Sequence, residues 1–251
     1  MNMDLFFNNE NEKPLDNLVS DGGMAAIFRT VGIIGDSLAS GEFESVKEDG
    51  TKGYHDYYEY SWGHFLGRMC GSKVNNFSRG GMTAKEYWES WADDNRFWDA
   101  KNVCDAYIIA LGANDLGGLN QTVGDKDDCD GEKKDTFSWY YGSIIKRLKK
   151  MQPRAKFFLF TFPKGERTRP DHKKLIYDFS EKFDNTYVID LDTYGPEYNE
   201  EFKRKFFLLG HMNPMGYLLT AQMTASYIDY IIRHNPDDFK EVGYIGTDLH
   251  G

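Results

Sequence analysis

Cysteine is scarce in this 251-residue chain, and the three present, Cys70, Cys104 and Cys129, are odd in number and widely spaced. That pattern fits neither a disulfide framework nor a zinc site and points to a reducing, cytoplasmic setting. Long apolar runs are also lacking. None approaches the roughly 18 residues that a bilayer span requires, so the reading is a soluble chain with no membrane partner. The start, Met1-Asn2-Met3-Asp4-Leu5-Phe6-Phe7-Asn8, lacks the basic and apolar regions of a secretory leader, although a trimmed secreted form would look the same. Positive charge is in deficit, with 30 Lys+Arg against 40 Asp+Glu for a formal charge of −10. A nucleic-acid binder needs a basic face, so that class is excluded. Internal repeats and low-complexity tracts are absent as well. With 40% hydrophobic and 16% aromatic residues, the composition excludes disorder and supplies a full core.

The length suits one large α/β domain, read over residues 27–251, after a polar N-terminal arm at 1–26 that holds Pro14 and an Asp21-Gly22-Gly23 turn. Apolar runs at 31–34, 106–111, 157–162 and 187–191 do not alternate with polar residues, as expected for strands buried on both faces of a parallel sheet. A weaker run at 73–77 makes a fifth. Between them lie helix-like stretches at 60–70, 83–91, 137–150 and 172–183, with Gly71 and Pro153 as stops. A last helix starts with Asn213 as its cap and Pro214 at its first position. Strands alternating with helices predict a doubly wound α/β sandwich. Residues 117–135 and 194–209 break the alternation, and long loops of this kind are usually functional or mobile. The acidic run at 125–128 lacks the ligand spacing of a calcium loop and reads as a solvated turn.

In a parallel sheet, ligands gather at the carboxyl ends of the strands. There the sequence places Gly35-Asp36-Ser37-Leu38, then Ser78-Arg79-Gly80-Gly81-Met82-Thr83, then Gly112-Ala113-Asn114-Asp115, with Gly210-His211-Met212-Asn213-Pro214 before the last helix. These are the parts that acyl transfer needs. Ser37 is the candidate nucleophile and His211 the candidate general base. The backbone N–H groups of Ser37 and Gly81 and the side-chain amide of Asn114 are the candidate oxyanion donors.

The four blocks, in this order, resemble those of the SGNH (GDSL-type) hydrolases, over about residues 30–234. The resemblance implies a three-layer αβα fold with a central parallel five-stranded sheet, related to flavodoxin. It also implies hydrolysis of carboxylic esters without metal or organic cofactor, and the family's carbohydrate esterases suggest an acetyl ester on a small molecule or oligosaccharide. A lysophospholipase or thioesterase is one alternative, and a non-catalytic carbohydrate-binding protein on a degenerate scaffold is another. The chain departs from the family at one place: the Asp usually found three residues before the catalytic His is Leu208 here. A backbone carbonyl can orient the imidazole instead, or a remote carboxylate from Asp190, Asp192 or Glu201.

Each block also has a plain structural explanation, since an isolated Ser37 reads as a helix cap, His211 as a packing histidine and Asn114 or Gly80-Gly81 as turns. Their coincidence at strand ends favours function. Asp36 and Asp115 are assigned to loop hydrogen bonds. His55, His64, His172, His234 and His250 show no metal spacing. Trp88, Trp91, Phe97 and Trp98, like Tyr54, Tyr57, Tyr58 and Tyr60, read either as core packing or as a sugar-stacking wall, and Arg79 as a pocket or a surface residue.

Overall fold

A computed structural model describes residues 11–245; the opening segment read for a leader and His250 lie outside the described residues. Strand β1 (Thr30–Gly35) is followed by the hairpin strands β2 (Glu42–Val46) and β3 (Lys52–Asp56), then by β4 (Lys73–Asn76), β5 (Ala106–Ala110), β6 (Lys156–Phe160) and β7 (Thr186–Ile189). Five of these form one sheet in the order β4-β1-β5-β6-β7, with every neighbouring pair parallel. β6 is buried along its whole length, which is why its sequence does not alternate.

The main helices are α1 (Ser37–Ser40), α2 (Trp62–Cys70), α3 (Phe137–Met151), α4 (Pro170–Lys182) and α5 (Pro214–His234). Val31, Ile33, Ile108 and Phe158 pack with Trp62 and Leu66 of α2 and Ala225 and Ile228 of α5 on one sheet face. Ile34, Ile109, Phe157 and Leu159 pack with Ile144 of α3 and Leu175 and Phe179 of α4 on the other. The result is a three-layer αβα sandwich, in which burying each such side chain contributes roughly 2 kcal/mol. Local chemistry fixes the helix ends. Ser61, Thr136 and Asn213 accept backbone N–H groups from His64, Trp139 and Gly216, while Gly71 closes α2 in the left-handed region at φ 69°.

The departures from expectation have physical causes. Leu111, Phe162 and Leu191 continue the apolar runs past the last laddered residues and line a cavity at the carboxyl edge. The predicted helix at 83–91 is α-helical only over Ala84–Glu86 and then widens to a π-turn over Tyr87–Trp91. α4 starts two residues before the expected position, since Pro170 can occupy a first helical turn. The β2–β3 hairpin was not legible as a strand pair. Only one of its faces is covered, and its two runs are short and polar.

Residues 125–128 form a turn that satisfies itself: Asp128 accepts from the Asp125 N–H and the Thr136 hydroxyl and pairs with Lys134 at 2.6 Å. Residues 194–209 hold a helix over Glu200–Phe206 and the short strand β8 (Phe207–Leu208), paired with β9 (His211–Met212). The described part of the N-terminal arm lies on α5, where Glu12 pairs with Arg233 at 2.7 Å and the Val19 N–H donates to the Ser226 hydroxyl. The three cysteines form no disulfide, and burial pushes the Cys104 thiol up to about 12. No helix among the described residues is long and apolar enough to cross a membrane.

Candidate active site

The turn out of β1 is tight. A Cβ on Gly35 would lie 2.4 Å from the Ala39 Cβ and 3.1 Å from the Ala110 carbonyl oxygen, so only glycine lets the strand turn this sharply into α1. Asp36 caps the helix by accepting the Leu38 N–H, and burial pushes its carboxyl up to about 6. Ser37 follows as the first helical residue, with its hydroxyl making no hydrogen bond among the described residues and its side chain facing the cavity.

The glycine turn is held by three anchors. The Asn114 amide donates to the Met82 carbonyl at 3.0 Å, the Asp115 carboxyl accepts the Ala84 N–H at 2.8 Å, and the Asp56 carboxyl accepts the Gly80 N–H at 3.3 Å. Gly81 takes φ +73°, where a side chain is strained, and has open space where a Cβ would be. Asn114 spends one amide hydrogen on Met82, and its second makes no hydrogen bond among the described residues.

Burial pushes the Asp115 carboxyl up to about 6, against the pull of the Ala84 and Lys85 N–H groups. Because its unfolded value lies near 3.8, its contribution to stability is complete below that pH and is lost as pH rises through about 6. Asp115→Asn removes this titration. Relative to wild type, the variant is expected to gain ~3 kcal/mol of unfolding free energy between about pH 4 and 7. Urea unfolding across that range checks this, and parallel curves would exclude it.

His211 opens β9 and is met by two carboxylates from β2. Glu44 Oε1 lies 2.8 Å from Nδ1, and Glu42 Oε1 lies 3.0 Å from Nε2. Positions 42 and 44 share a strand face, and their cross-strand partners Asp56 and Tyr54 stand on the same face. Tyr54 accordingly sets its ring edge-to-face against His211 at 6.2 Å. For Glu44, burial works upward, but the His211 hydrogen bond and the charge of Lys52, 3.5 Å from Oε2, outweigh it and hold the carboxyl below its ordinary range. For Glu42, burial raises the carboxyl, His211 opposes this, and Asp56, Asp36 and Glu44 add to it.

This geometry corrects the expected partners of the imidazole. Asp190 accepts from Thr161, Thr193 and Tyr177 and pairs with Lys173; Asp192 also pairs with Lys173, and Glu201 pairs with Lys205 on an exposed helix. Among the described residues, neither they nor a backbone carbonyl meets Nδ1; Glu44 does. The signal missed was Glu42-Phe43-Glu44, whose alternation puts two carboxylates on one side of a strand.

Other candidates also sort out. Trp88, Trp91, Phe97 and Trp98 pack into the core on the α3 side and do not line the cavity. Arg79 pairs with Glu86 at 2.6 Å and covers Trp91, and the Tyr58 hydroxyl donates to the Ser78 carbonyl. Tyr54, Tyr57 and Tyr60 remain about half exposed; Tyr54 stands against His211, whereas Tyr57 and Tyr60 pack on Phe43, which alternation puts on the other face of β2. His172 is buried against Phe162, and that burial pushes it down to about 3.

Ser37, Gly81, Asn114, His211 and Glu42 open onto one cavity of about 530 Å³. Its inner wall is apolar, built from residues such as Trp62, Phe160, Leu191 and Met212, and its rim carries Glu166, Arg167 and Lys203. The family described as GDSL-like lipase/acylhydrolase matches residues 33–219, spanning all four blocks. The chain belongs to that family. It is therefore a carboxylic ester hydrolase of the SGNH fold.

Among solved structures, this acylhydrolase is similar to a family two carbohydrate esterase from Clostridium thermocellum in complex with cellohexaose. The TM-score is 0.60 at 17% identity, over 81% of this chain and 64% of that one. It is also similar to a family two carbohydrate esterase with a carbohydrate-binding domain from Corynascus thermopiles (Myceliophthora fergusii), with TM-score 0.57, 18% identity, 80% of this chain and 65% of that one. A protein from Desulfitobacterium hafniense described as lipolytic and of the G-D-S-L family gives a TM-score of 0.54 at 17% identity, over 79% and 99%. The chain spans less than two thirds of the length of the two carbohydrate esterases. At these identities the likeness is one of fold. No curated protein matches the chain in sequence.

Proposed function

We propose that this acylhydrolase removes a short acyl group, acetyl in the first instance, from a polyhydroxylated alcohol of the carbohydrate class through an acyl-Ser37 intermediate. The observation that carries the reading is the His211 ring, held at Nδ1 by Glu44 on the same cavity that Ser37, Gly81 and Asn114 line. In this reading the Ser37 hydroxyl attacks the acyl carbon while His211 Nε2 takes its proton, then returns the proton to the departing alcohol oxygen. Glu44 accepts the Nδ1 hydrogen, keeps the lone pair on Nε2 and stabilises the imidazolium. The N–H groups of Ser37 and Gly81 and the free amide hydrogen of Asn114 donate to the oxyanion, each typically worth about 3 kcal/mol of barrier. Water then repeats the sequence on the acyl-enzyme. With a carboxylate at Nδ1, the motive for the non-catalytic binding-module reading falls away.

The charged rim and the half-exposed Tyr54 beside His211 suit a polar alcohol component. One observation supports a second reading. The apolar inner wall encloses more space than an acetyl group fills, which suits the longer chain of a lysophospholipid or thioester. A p-nitrophenyl series from acetyl through butyryl and octanoyl to dodecanoyl, run beside acetate release from acetylated oligosaccharides, separates the two. Activity is expected to fall beyond butyryl, with acetate released; an octanoyl or dodecanoyl preference would replace this reading with the second. The three free thiols suit the reducing compartment read from the sequence.

A further inference from the structure

The position of Glu42 raises a problem of hydrogen-bond accounting. Its residue is 8% exposed, it lines the cavity beside Ser37, and its Oε2 is pressed so closely on Gly80 that a Cβ there would sit 1.8 Å away. The carboxylates around it have donors of their own. Asp36 takes the Leu38 N–H, Asp56 takes the Ser40 hydroxyl and the Gly80 N–H, and Glu44 takes His211 Nδ1. Among the described residues, the polar group standing against the Glu42 carboxylate is His211 Nε2, at 3.0 Å.

Nε2 is also the nitrogen that must take the proton of Ser37 and give it to the departing oxygen. With the Nδ1 hydrogen on Glu44, Nε2 offers Glu42 only a lone pair before the transfer, and after it the N–H points at the substrate, so at neither stage does His211 donate to Glu42, whose carboxylate faces the cavity. Water in the cavity can satisfy this carboxylate, but a substrate that displaces the water must bring a donor of its own or leave the carboxylate unsatisfied, which is costly. The departing oxygen lies at Nε2, and Glu42 lies beside that same nitrogen. A hydroxyl on the carbon next to the ester carbon is within hydrogen-bond reach of both.

We infer that Glu42 is a specificity-determining residue that accepts a hydrogen bond from a free hydroxyl vicinal to the scissile ester, so that the enzyme selects monoesters of vicinal diols. This inference rests on the proposed Ser37–His211 esterase reaction. The substrates it selects are partly acylated sugars or polyols. Esters of monohydric alcohols, and fully acylated polyols in which that hydroxyl is blocked, are selected against.

The test compares kcat/KM for hydroxyethyl acetate and methoxyethyl acetate, which share the acyl group and the second oxygen but differ in the donor. Wild type is expected to prefer the hydroxyethyl ester by about a hundredfold, since a site built to bond a hydroxyl discriminates strongly against its loss. Glu42→Ala should bring the ratio close to one, and Glu42→Gln, whose carbonyl oxygen still accepts, should restore part of it. A wild-type ratio within about threefold overturns the inference whatever the variants do, as does an unchanged ratio in Glu42→Ala. Failure of wild type to cleave either ester, or any p-nitrophenyl ester, overturns the esterase reading itself and the inference with it.

Discussion

Ser37→Ala is expected to abolish ester hydrolysis, slowing turnover about a millionfold, the scale seen when the nucleophile of a serine hydrolase is removed. The hydroxyl is the single atom lost. It makes no hydrogen bond among the described residues, and α1 is capped by Asp36 rather than by Ser37. The fold should therefore not notice the change, with an unfolding free energy within about 0.5 kcal/mol of wild type. Stoichiometric labelling by a serine-reactive organophosphonate should disappear in the same variant. Turnover of Ser37→Ala above a thousandth of wild type, with labelling retained, would assign the nucleophile elsewhere.

The second large effect concerns Glu44. Glu44→Gln keeps the shape of the side chain but turns an acceptor-only group into one that can donate to Nδ1. The imidazole is then free to carry its hydrogen on Nε2, the tautomer that cannot take a proton from Ser37. Loss of the orienting acid slows Ser-His-Asp enzymes by up to about ten-thousandfold, and turnover here is expected to drop by roughly a thousandfold to ten-thousandfold, with KM little changed. The charge of Glu44 bears on the size of the effect. Because its carboxyl is held below the ordinary range, it is ionised throughout the pH range in which His residues titrate, so the deficit should persist across a profile from about pH 5 to 8. A loss under tenfold would return the orienting role to a backbone carbonyl or to water. The same change in Asp190, Asp192 or Glu201 should leave turnover within a few-fold, as each of these has its own cationic partner away from His211.

Much of this protein is written locally. Non-alternating apolar runs such as Ile108-Ile109 and Phe157-Phe158 can lie only in a sheet covered on both faces, and caps such as Ser61, Thr136 and Asn213-Pro214 start their helices within a turn of their own positions. Ser37, Gly81, Asn114 and His211 are legible for the same reason. Each sits in or beside a turn whose glycine or cap is its sequence neighbour, and parallel topology then brings the strand ends to one edge.

What acts on the imidazole was not local. Glu44 and His211 are 167 residues apart and meet only because the β2–β3 hairpin folds against β9, a contact between two short polar strands whose pairing no hydrophobic pattern announces. A search confined to the residues before His211 finds Leu208 and an apparent gap in the machinery. The sequence alone determined the layered fold and the four groups at the sheet edge, because period, caps and turns act over a few residues. Only the tertiary structure decided which carboxylates face the histidine, because side-chain pairing across a chain is set by how separate elements pack.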